Sequence, residues 1–409
     1  MKIKAFKAWR PAEGLAETVA SVPYDVVDRA QAKKLAEGNP HSFLHVVRAE
    51  IDLPETVSPY SDTVYEQAQK NLQKLMDEGV LVREEKPALY LYSQQMGDHT
   101  QYGIVATCHV EDYESGKIKI HEKTRKVKEE DRIRYVDTQN ANTGPVFLAY
   151  RDDEKIAELV EQTRQTEPLY RFTAEDGVIH TVWKFSAPEL LESAFAQIPA
   201  FYVADGHHRS ASAAKVAQMR RDANPNHTGE EPYNYFLAVL FPESELKILP
   251  YNRVVLELPS SEEEFVSALE KSFKVEKSGN PEPQNPGEIA MYFKGDWYTL
   301  SPLNPPDASD PVASLDVSVL QNEVLAPLLG IDDPRESNNV DFIGGIKGTK
   351  ELENWVNDGR AVVAFSMYPT SMDQLFAVAD ANRLMPPKST WFEPKLRSGL
   401  FVHAWDDVD

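Results

Sequence analysis

The fold turns on one stretch, Phe201-Tyr-Val-Ala-Asp-Gly-His-His-Arg-Ser-Ala-Ser-Ala-Ala-Lys215. An apolar segment enters, a glycine allows a turn, and an alanine-rich segment leaves. Alanine is the strongest helix former, so we predict a strand over Pro199–Ala204 and a helix over Ser210–Met219. The start of such a helix presents unpaired backbone N–H groups and the positive end of the helix dipole, and the two together bind anions.

The residues of this turn suit a phosphate site. Gly206 lets the backbone approach a ligand closely, and Arg209 carries a planar fork that matches phosphate. His207 and His208 supply hydrogen-bond donors, bases or metal ligands, while Asp205 is a candidate base or Mg²⁺ ligand. The alternative is that Asp205 caps the helix and that the other polar residues are ordinary surface groups. Neither a Walker loop nor a Rossmann glycine pattern is present to support a nucleotide site.

A basic island, Lys117–Lys126, is the second candidate segment in this acidic protein. His121 and Lys123 are candidates for gripping a phosphate or carboxylate, and Glu122 for holding a metal. The zinc-protease pattern His-Glu-x-x-His is excluded because position 125 is Arg. The segment is equally explained as the solvated end of a hairpin.

A third segment, Met385–Lys395, combines prolines with lysines, hydroxyls and aromatic rings. Stiff loops of this kind often carry function, so Lys388, Ser389 and Lys395 are candidates to complete a basic pocket. Its aromatic residues are also consistent with a purely structural anchor for the end of the chain.

Val22-Pro-Tyr-Asp-Val26 is the fourth candidate segment. The Asp25 carboxylate lies between an aromatic ring and two valines, and a partly desolvated carboxylate is a plausible general base. An ordinary turn aspartate is the competing interpretation. If the candidate segments form one site, at least two of 121–125, 205–209 and 388–395 must converge; if they are surface groups, they need not.

Composition limits the possible partners. The chain has 409 residues, with 43 Lys and Arg against 65 Asp and Glu, a formal charge of −22. Such a charge argues against non-specific binding to nucleic acid or anionic membranes. No apolar run is long enough for a membrane helix and no signal-peptide core is present, so we expect a cytoplasmic protein. The single cysteine, Cys108, excludes an internal disulfide and is expected to be buried.

The order of elements predicts an α+β, or mixed α/β, fold, because strands are joined both by hairpins and by helices. The patterns predict a short strand over Ser42–Val47, a helix over Ser61–Glu78 and a helix over Val317–Leu329. A Pro-Ser-Ser sequence near residues 258–262 predicts a boundary. The expected domains are therefore 1–258 and a C-terminal α/β domain over 259–409.

Several ordered motifs resemble the domain-of-unknown-function family 1015 over essentially the whole chain. They are Val22–Val27, Asn39–His45, His121–Thr124 with Asp131-Arg132, Ala204–Arg209, Tyr251–Val255 and Met385–Lys395.

The strand, Asp-Gly-His-His-Arg turn and alanine-rich helix are also similar to the second box of the ParB/sulfiredoxin superfamily, which includes free serine kinases. This resemblance implies a core over about 1–50 and 199–258, interrupted by an α+β insertion over about 51–198. It further implies that the turn cradles the phosphates of a nucleotide, ATP or ADP. Sulfiredoxin chemistry fits poorly because His207 stands where that chemistry needs a cysteine.

These observations favour an enzyme that transfers or hydrolyses a phosphoryl group on a small phosphorylated metabolite such as serine or phosphoserine, with Mg²⁺ or a similar divalent ion. Such an enzyme belongs to serine metabolism. The alternative is a regulatory protein that binds a nucleotide or metabolite in the same pocket without turnover. A homo-oligomer is compatible with either hypothesis.

Overall fold

The structure is a computed structural model that describes residues 1–405. It divides into two compact units: unit 1 is Met1–Leu246 with Pro394–Asp409, and unit 2 is Lys247–Glu393. The division therefore falls before the expected boundary near residue 258, and the end of the chain does not belong with the expected domain over 259–409. The reason lies in strand pairing, because the residues directly after 247 pair with strands that come later in unit 2.

Unit 1 is built on a mixed sheet. Its strand order is β6-β11-β8-β12-β5-β4-β10-β9, and β1 pairs with β5 beside β4. A separate ribbon joins β2 and β3. The strands are β1 (Ile3–Lys4), β2 (Trp9–Pro11), β3 (Leu81–Arg83), β4 (Tyr90–Met96), β5 (His99–His109), β6 (Ile118–Lys119), β7 (Ala141–Asn142), β8 (Val146–Tyr150), β9 (Tyr170–Thr173), β10 (Ile179–Lys184), β11 (Phe201–Asp205) and β12 (Tyr235–Pro242).

Helices surround this sheet. They are α1 (Ala16–Val19), α2 (Arg29–Leu35), α3 (Leu44–Val47), α4 (Asp62–Asp77), α5 (Val110–Glu114), α6 (Lys126–Gln139), α7 (Glu154–Arg164), α8 (Pro188–Phe195) and α9 (His207–Ala223). The predicted helix after Ser61 is present as α4. The predicted strand over Ser42–Val47 is wrong, because that segment forms a short turn followed by α3. Helix α6 contacts both α4 and α9.

The central strands are buried on both faces, so they read as continuous apolar runs. In β12, every residue from Tyr235 to Phe241 is buried. Cys108, in the neighbouring β5, is fully buried as expected. Strands from the segment 51–198 pair in the same sheet as β11 and β12. That segment is therefore part of the unit 1 sheet and does not form a unit of its own.

Unit 2 contains an antiparallel sheet of order β15-β17-β16-β19-β14-β18 and a short ribbon that pairs β13 with β20. The strands are β13 (Ile248–Leu249), β14 (Tyr251–Val255), β15 (Phe273–Ser278), β16 (Ile289–Phe293), β17 (Asp296–Pro302), β18 (Val340–Gly344), β19 (Val363–Met367) and β20 (Trp391–Phe392). The helices are α10 (Glu262–Ser272), α11 (Asp316–Leu320), α12 (Ala326–Leu329), α13 (Gly348–Asn357) and α14 (Met372–Asp380).

The predicted helix over Val317–Leu329 is present, but it is interrupted. A π-helical turn, Gln321–Leu325, separates α11 from α12, and Gly330 ends α12 in the left-handed region. After unit 2, the chain returns to unit 1, where a final strand β21 (His403–Ala404) pairs with β7. The mixed α/β class predicted from the sequence is confirmed. None of the helices in the described part of the chain has the length and apolar character needed to cross a membrane.

Candidate functional site

The turn between β11 and α9 forms the centre of the candidate site. Gly206 has a φ angle of +95° and is the N-cap of α9, and no side chain within residues 1–405 caps the helix. Asp205, which the competing interpretation made the cap, instead accepts a hydrogen bond from the N–H of Gly206 at 2.7 Å. The first backbone N–H groups of α9 therefore have no capping side chain, as expected for a helix start that receives an anion.

Arg209 folds back over this glycine. Its Nη1 donates to the carbonyl of Pro145, and its Nη2 lies 3.8 Å from Asp25 Oδ2 and 4.0 Å from Asp205 Oδ1. The side chain is only 10% exposed, and its Nε has no hydrogen-bond partner among the described residues. A buried donor without a partner is costly and requires an explanation, such as a bound ion.

The carboxylate of Asp205 already has partners within the protein. Its Oδ2 lies 3.1 Å from the Lys395 ammonium, and the backbone of Lys395 is held by Gln94, whose side-chain amide donates to the Lys395 carbonyl at 2.8 Å. Burial alone raises the pKa of the Asp205 carboxyl, but the positive charges of Lys395 and Arg209 outweigh burial and hold that pKa below its ordinary value. Asp205 is therefore ionised and paired, which makes it a weak proton acceptor.

The histidines link the basic island to the helix start. The rings of His121 and His207 meet edge to face with centroids 4.6 Å apart, and His208 Nε2 accepts a hydrogen bond from the Arg125 backbone N–H at 3.0 Å. Burial lowers the pKa of His121 to about 3 and that of His207 to about 4. Both imidazoles are therefore neutral near pH 7, so they do not add positive charge to the site.

The imidazole of His207 is not fully hydrogen-bonded by the described residues. His207 is 7% exposed, and its Nε2 makes no hydrogen bond within the part of the chain that the structure describes. A neutral imidazole can still donate or accept one hydrogen bond at this position. The cluster is therefore suited to orienting a ligand, and it does not supply charge.

A cavity beside Arg209 was not predicted from the sequence. The Arg132 guanidinium lies between two aromatic rings, 3.9 Å from the Tyr24 centroid and 4.0 Å from the Tyr135 centroid. Asp131 Oδ2 holds the same guanidinium at 2.6 Å. The cavity is small, with a volume of about 30 Å³, and we call it the Tyr24 cavity. Its walls include Tyr24, Arg132, Tyr135, Gly144, Arg209 and Ser398.

Four further residues were predicted for the site: Glu122, Lys123, Lys388 and Ser389. Burial lowers the pKa of His121, and the negative charge of Glu122 partly opposes this effect. Lys123 is exposed. Lys388 and Ser389 belong to unit 2. There the Lys388 ammonium lies 5.4 Å from the centre of the Tyr251 ring, and the Ser389 hydroxyl donates to a backbone carbonyl. Their participation in the site stays a prediction.

A metal site at Asp205 and Glu122 gains no support. Within residues 1–405, no group of three or more His, Cys, Asp or Glu side chains is arranged to hold a metal ion. The ion pair of Asp205 with Lys395 explains part of this result, because a lysine occupies the oxygen that a cation would need. The residues present therefore do not fit a Mg²⁺ ion held by the protein alone.

A protein-family comparison now identifies the chain. The model of a family described as "Protein of unknown function (DUF1015)" matches residues 3–318. The chain belongs to this family. Comparison with the curated proteins gave no match.

Solved structures similar to this DUF1015 protein share little sequence with it. A conserved hypothetical protein from Pyrococcus furiosus is 12% identical, with a TM-score of 0.37, covering 73% of this chain and 94% of its own. A free serine kinase in complex with AMP is 14% identical, with a TM-score of 0.36, covering 72% and 92%. SbnI from Staphylococcus aureus, truncated at its C-terminus, is 12% identical, with a TM-score of 0.39, covering 75% and 90%. At these scores no residue role is transferred from them.

Proposed function

We propose that this DUF1015 protein binds the phosphates of a nucleotide at the start of α9 and transfers a phosphoryl group to a small metabolite. The observation that carries the proposal is the uncapped helix start at Gly206 beside the buried, partnerless Nε of Arg209. A phosphate oxygen there would satisfy that nitrogen and receive backbone N–H groups at the positive end of the helix.

Asp25 is the group best placed to act as the base. Its carboxylate is 38% exposed and lies 3.8 Å from Arg209, beyond hydrogen-bond distance. Asp205, by contrast, is fixed by Lys395 and Gly206. A phosphate that binds Arg209 would draw the guanidinium away from Asp25, and the free carboxylate would face the ligand. We therefore assign the proton transfer to Asp25 and a positioning role to Asp205.

The proposed reaction transfers the terminal phosphoryl group of a nucleoside triphosphate to a hydroxyl group. A hydroxyl oxygen of the acceptor attacks the terminal phosphorus of a nucleoside triphosphate, and the bond from that phosphorus to the bridging oxygen breaks. The hydroxyl proton passes to Asp25, and the nucleoside diphosphate leaves. Arg209 and the N–H groups of α9 stabilise the charge on the transferring group. No part of this scheme depends on a metal held by the protein, although a nucleotide can bring its own Mg²⁺.

Calorimetric titration of the full chain with ATP, ADP and AMP, with and without Mg²⁺, tests the binding proposal. Arg209→Ala is expected to weaken the binding of ATP by at least about 10-fold, since a charge-assisted hydrogen bond contributes about 1.5–3 kcal/mol. Lys215→Ala is the matched control, because Lys215 is an exposed cation on the same helix. Equal affinity in wild type and Arg209→Ala would place the phosphate site elsewhere.

Turnover separates the enzyme from a regulator. ADP release is measured with serine as the first acceptor, chosen because of the sequence resemblance to free serine kinases, and then with other small hydroxyl compounds. Asp25→Asn should retain nucleotide binding and lose turnover by about 10²–10⁴-fold, the usual contribution of a general base. Tight binding without turnover in the wild-type protein would favour the regulatory alternative.

A further inference from the structure

A second cavity in unit 1 has no part in the proposed reaction. Its volume is about 430 Å³, and among the described residues none lines both this cavity and the Tyr24 cavity. Segments around Glu17–Val22 and Leu35–Leu44 form one wall, and the β9–β10 hairpin forms another. Arg397 lies in its lining, so we call it the Arg397 cleft.

Arg397 lines this cleft and retains one unused donor group. The side chain is only 6% exposed, its Nη2 is paired with Asp176, and its Nε donates to His180 Nε2 at 3.3 Å. Among the described residues, Nη1 has no hydrogen-bond partner. That nitrogen can donate a single charge-assisted hydrogen bond to a carboxylate or phosphate oxygen.

A buried chain of polar groups fixes the position of this guanidinium. Because an arginine Nε can only donate, His180 Nε2 must accept, and the ring proton must lie on Nδ1. That Nδ1 lies 2.8 Å from the Tyr92 hydroxyl, to which it donates. His180 is fully buried, with its ring stacked on Phe172 and Tyr92. The imidazole is therefore neutral, and the charge of Arg397 is held in place behind the cleft.

The rim of the cleft carries the opposite charge. Glu17 and Glu175 are exposed lining residues, and neither makes an ion pair within residues 1–405. Asp176 is also in the lining, so the cleft presents three carboxylates and a single guanidinium. A simple anion would be repelled by the rim, whereas a ligand with an added ammonium group would be attracted by it.

Apolar side chains complete the lining. Phe172 and Leu44 are buried lining residues, and Leu35 is a lining residue that is 44% exposed. We propose that the Arg397 cleft binds an α-amino acid with an apolar side chain. The carboxylate of the ligand bonds to Arg397 Nη1, its ammonium faces the acidic rim, and its side chain covers Leu35 and Phe172.

Calorimetry with three related compounds tests this proposal on the full chain. L-Leucine carries both charges, 4-methylpentanoate lacks the ammonium, and 3-methylbutylamine lacks the carboxylate. Leucine is expected to bind at least about 10-fold more tightly than either single-charge compound, because each lost charged hydrogen bond costs about that factor. Absence of leucine binding, or equal binding of 4-methylpentanoate, overturns the proposal.

Variants locate the site. Arg397→Lys keeps the positive charge but loses the planar guanidinium. It should weaken the binding of leucine by about 10-fold. Glu175→Gln changes only an exposed group, so it tests the rim even if substitution of Arg397 prevents folding. This substitution should weaken the binding of leucine about two- to five-fold, a range typical of exposed charge pairs. Glu66→Gln, an exposed acid on α4, is the matched control, and Arg209→Ala should leave leucine binding unchanged. Unchanged affinity in both Arg397→Lys and Glu175→Gln overturns the proposal.

Discussion

Gly206→Ala is expected to impair nucleotide binding more than its effect on stability explains. Gly206 has a φ of +95°, and an added Cβ would lie 3.2 Å from the Nε of Arg209 and 3.5 Å from the Cα of Val146. Gly229 provides a closely matched control, because its φ is +94° and nothing lies within 4 Å of its added Cβ. The two substitutions share the backbone strain, and only one of them displaces Arg209.

The expected magnitudes follow from these two terms. An alanine in the left-handed region costs about 1–2 kcal/mol, so both variants should lose similar stability. For a unit of this size that corresponds to a fall in Tm of about 2–8 °C. In Gly206→Ala, the 3.5 Å approach to Val146 is an ordinary contact, whereas the 3.2 Å approach to Arg209 Nε is too close, so the guanidinium must shift by a few tenths of an ångström. Loss of the charge-assisted hydrogen bond from Arg209 to phosphate should weaken the binding of ATP by a further factor of at least about 10.

Thermal unfolding without ligand and calorimetric titration with ATP measure the two terms separately. Both variants should unfold at similarly lowered temperatures, and only Gly206→Ala should bind ATP less tightly. A role for the position of Arg209 in ATP binding is refuted if Gly206→Ala binds ATP like the wild-type protein, or if Gly229→Ala loses the same affinity. The second result would mean that global strain, and not the position of Arg209, controls binding.

Three further predictions concern single groups. Lys395→Met leaves the Asp205 carboxylate without its cation and should lower the free energy of unfolding in urea by about 1–3 kcal/mol; Asp205→Asn in the same chain should restore part of that loss. Burial lowers the pKa of both His207 and His403 from 6.5 to about 4. Because unfolded imidazoles bind protons below pH 6.5 and these two do not, stability should fall as the pH drops from 6.5 to 4, by about 2 kcal/mol per histidine at pH 5. Urea unfolding at pH 7 and pH 5 measures this change, and His403→Gln should reduce the difference. The thiol of Cys108 is fully buried, and burial raises its pKa, so a thiol reagent should react only after denaturant is added; rapid reaction with the native protein would show that β5 opens.

The sequence predicted those strands and helices whose formation depends on residues close together in the chain. Continuous apolar runs gave strands β11 and β12, and alanine content gave α9. The segment Ser42–Val47 was predicted as a strand because it is short and apolar, and periodicity does not separate a short buried helix from a strand. Its helical form is explained by tertiary packing, since Leu44, Val46 and Val47 belong to a core that α4 completes.

Contacts between distant residues were beyond such patterns. Lys395 was proposed for a phosphate pocket from its loop, yet its partner, Asp205, lies 190 positions away. The stack of Arg132 between Tyr24 and Tyr135 depends on the pairing of a loop with α6, and nothing local signals it, although Asp131-Arg132 was among the motifs of the family resemblance. The chain from Tyr92 through His180 to Arg397 likewise joins three segments.

Charge placement then separates the two aspartates that the sequence offered as equivalent bases. Asp205 is 3.1 Å from a lysine ammonium and also accepts a backbone hydrogen bond, so an incoming phosphate would have to break two contacts to free it. Asp25 is more exposed and lies 3.8 Å from Arg209, where the attraction is weaker and no hydrogen bond is lost. A phosphate that engages Arg209 therefore releases Asp25 and leaves Asp205 in place. In the proposed reaction the base becomes available only after the nucleotide binds, so the nucleotide should bind before the acceptor.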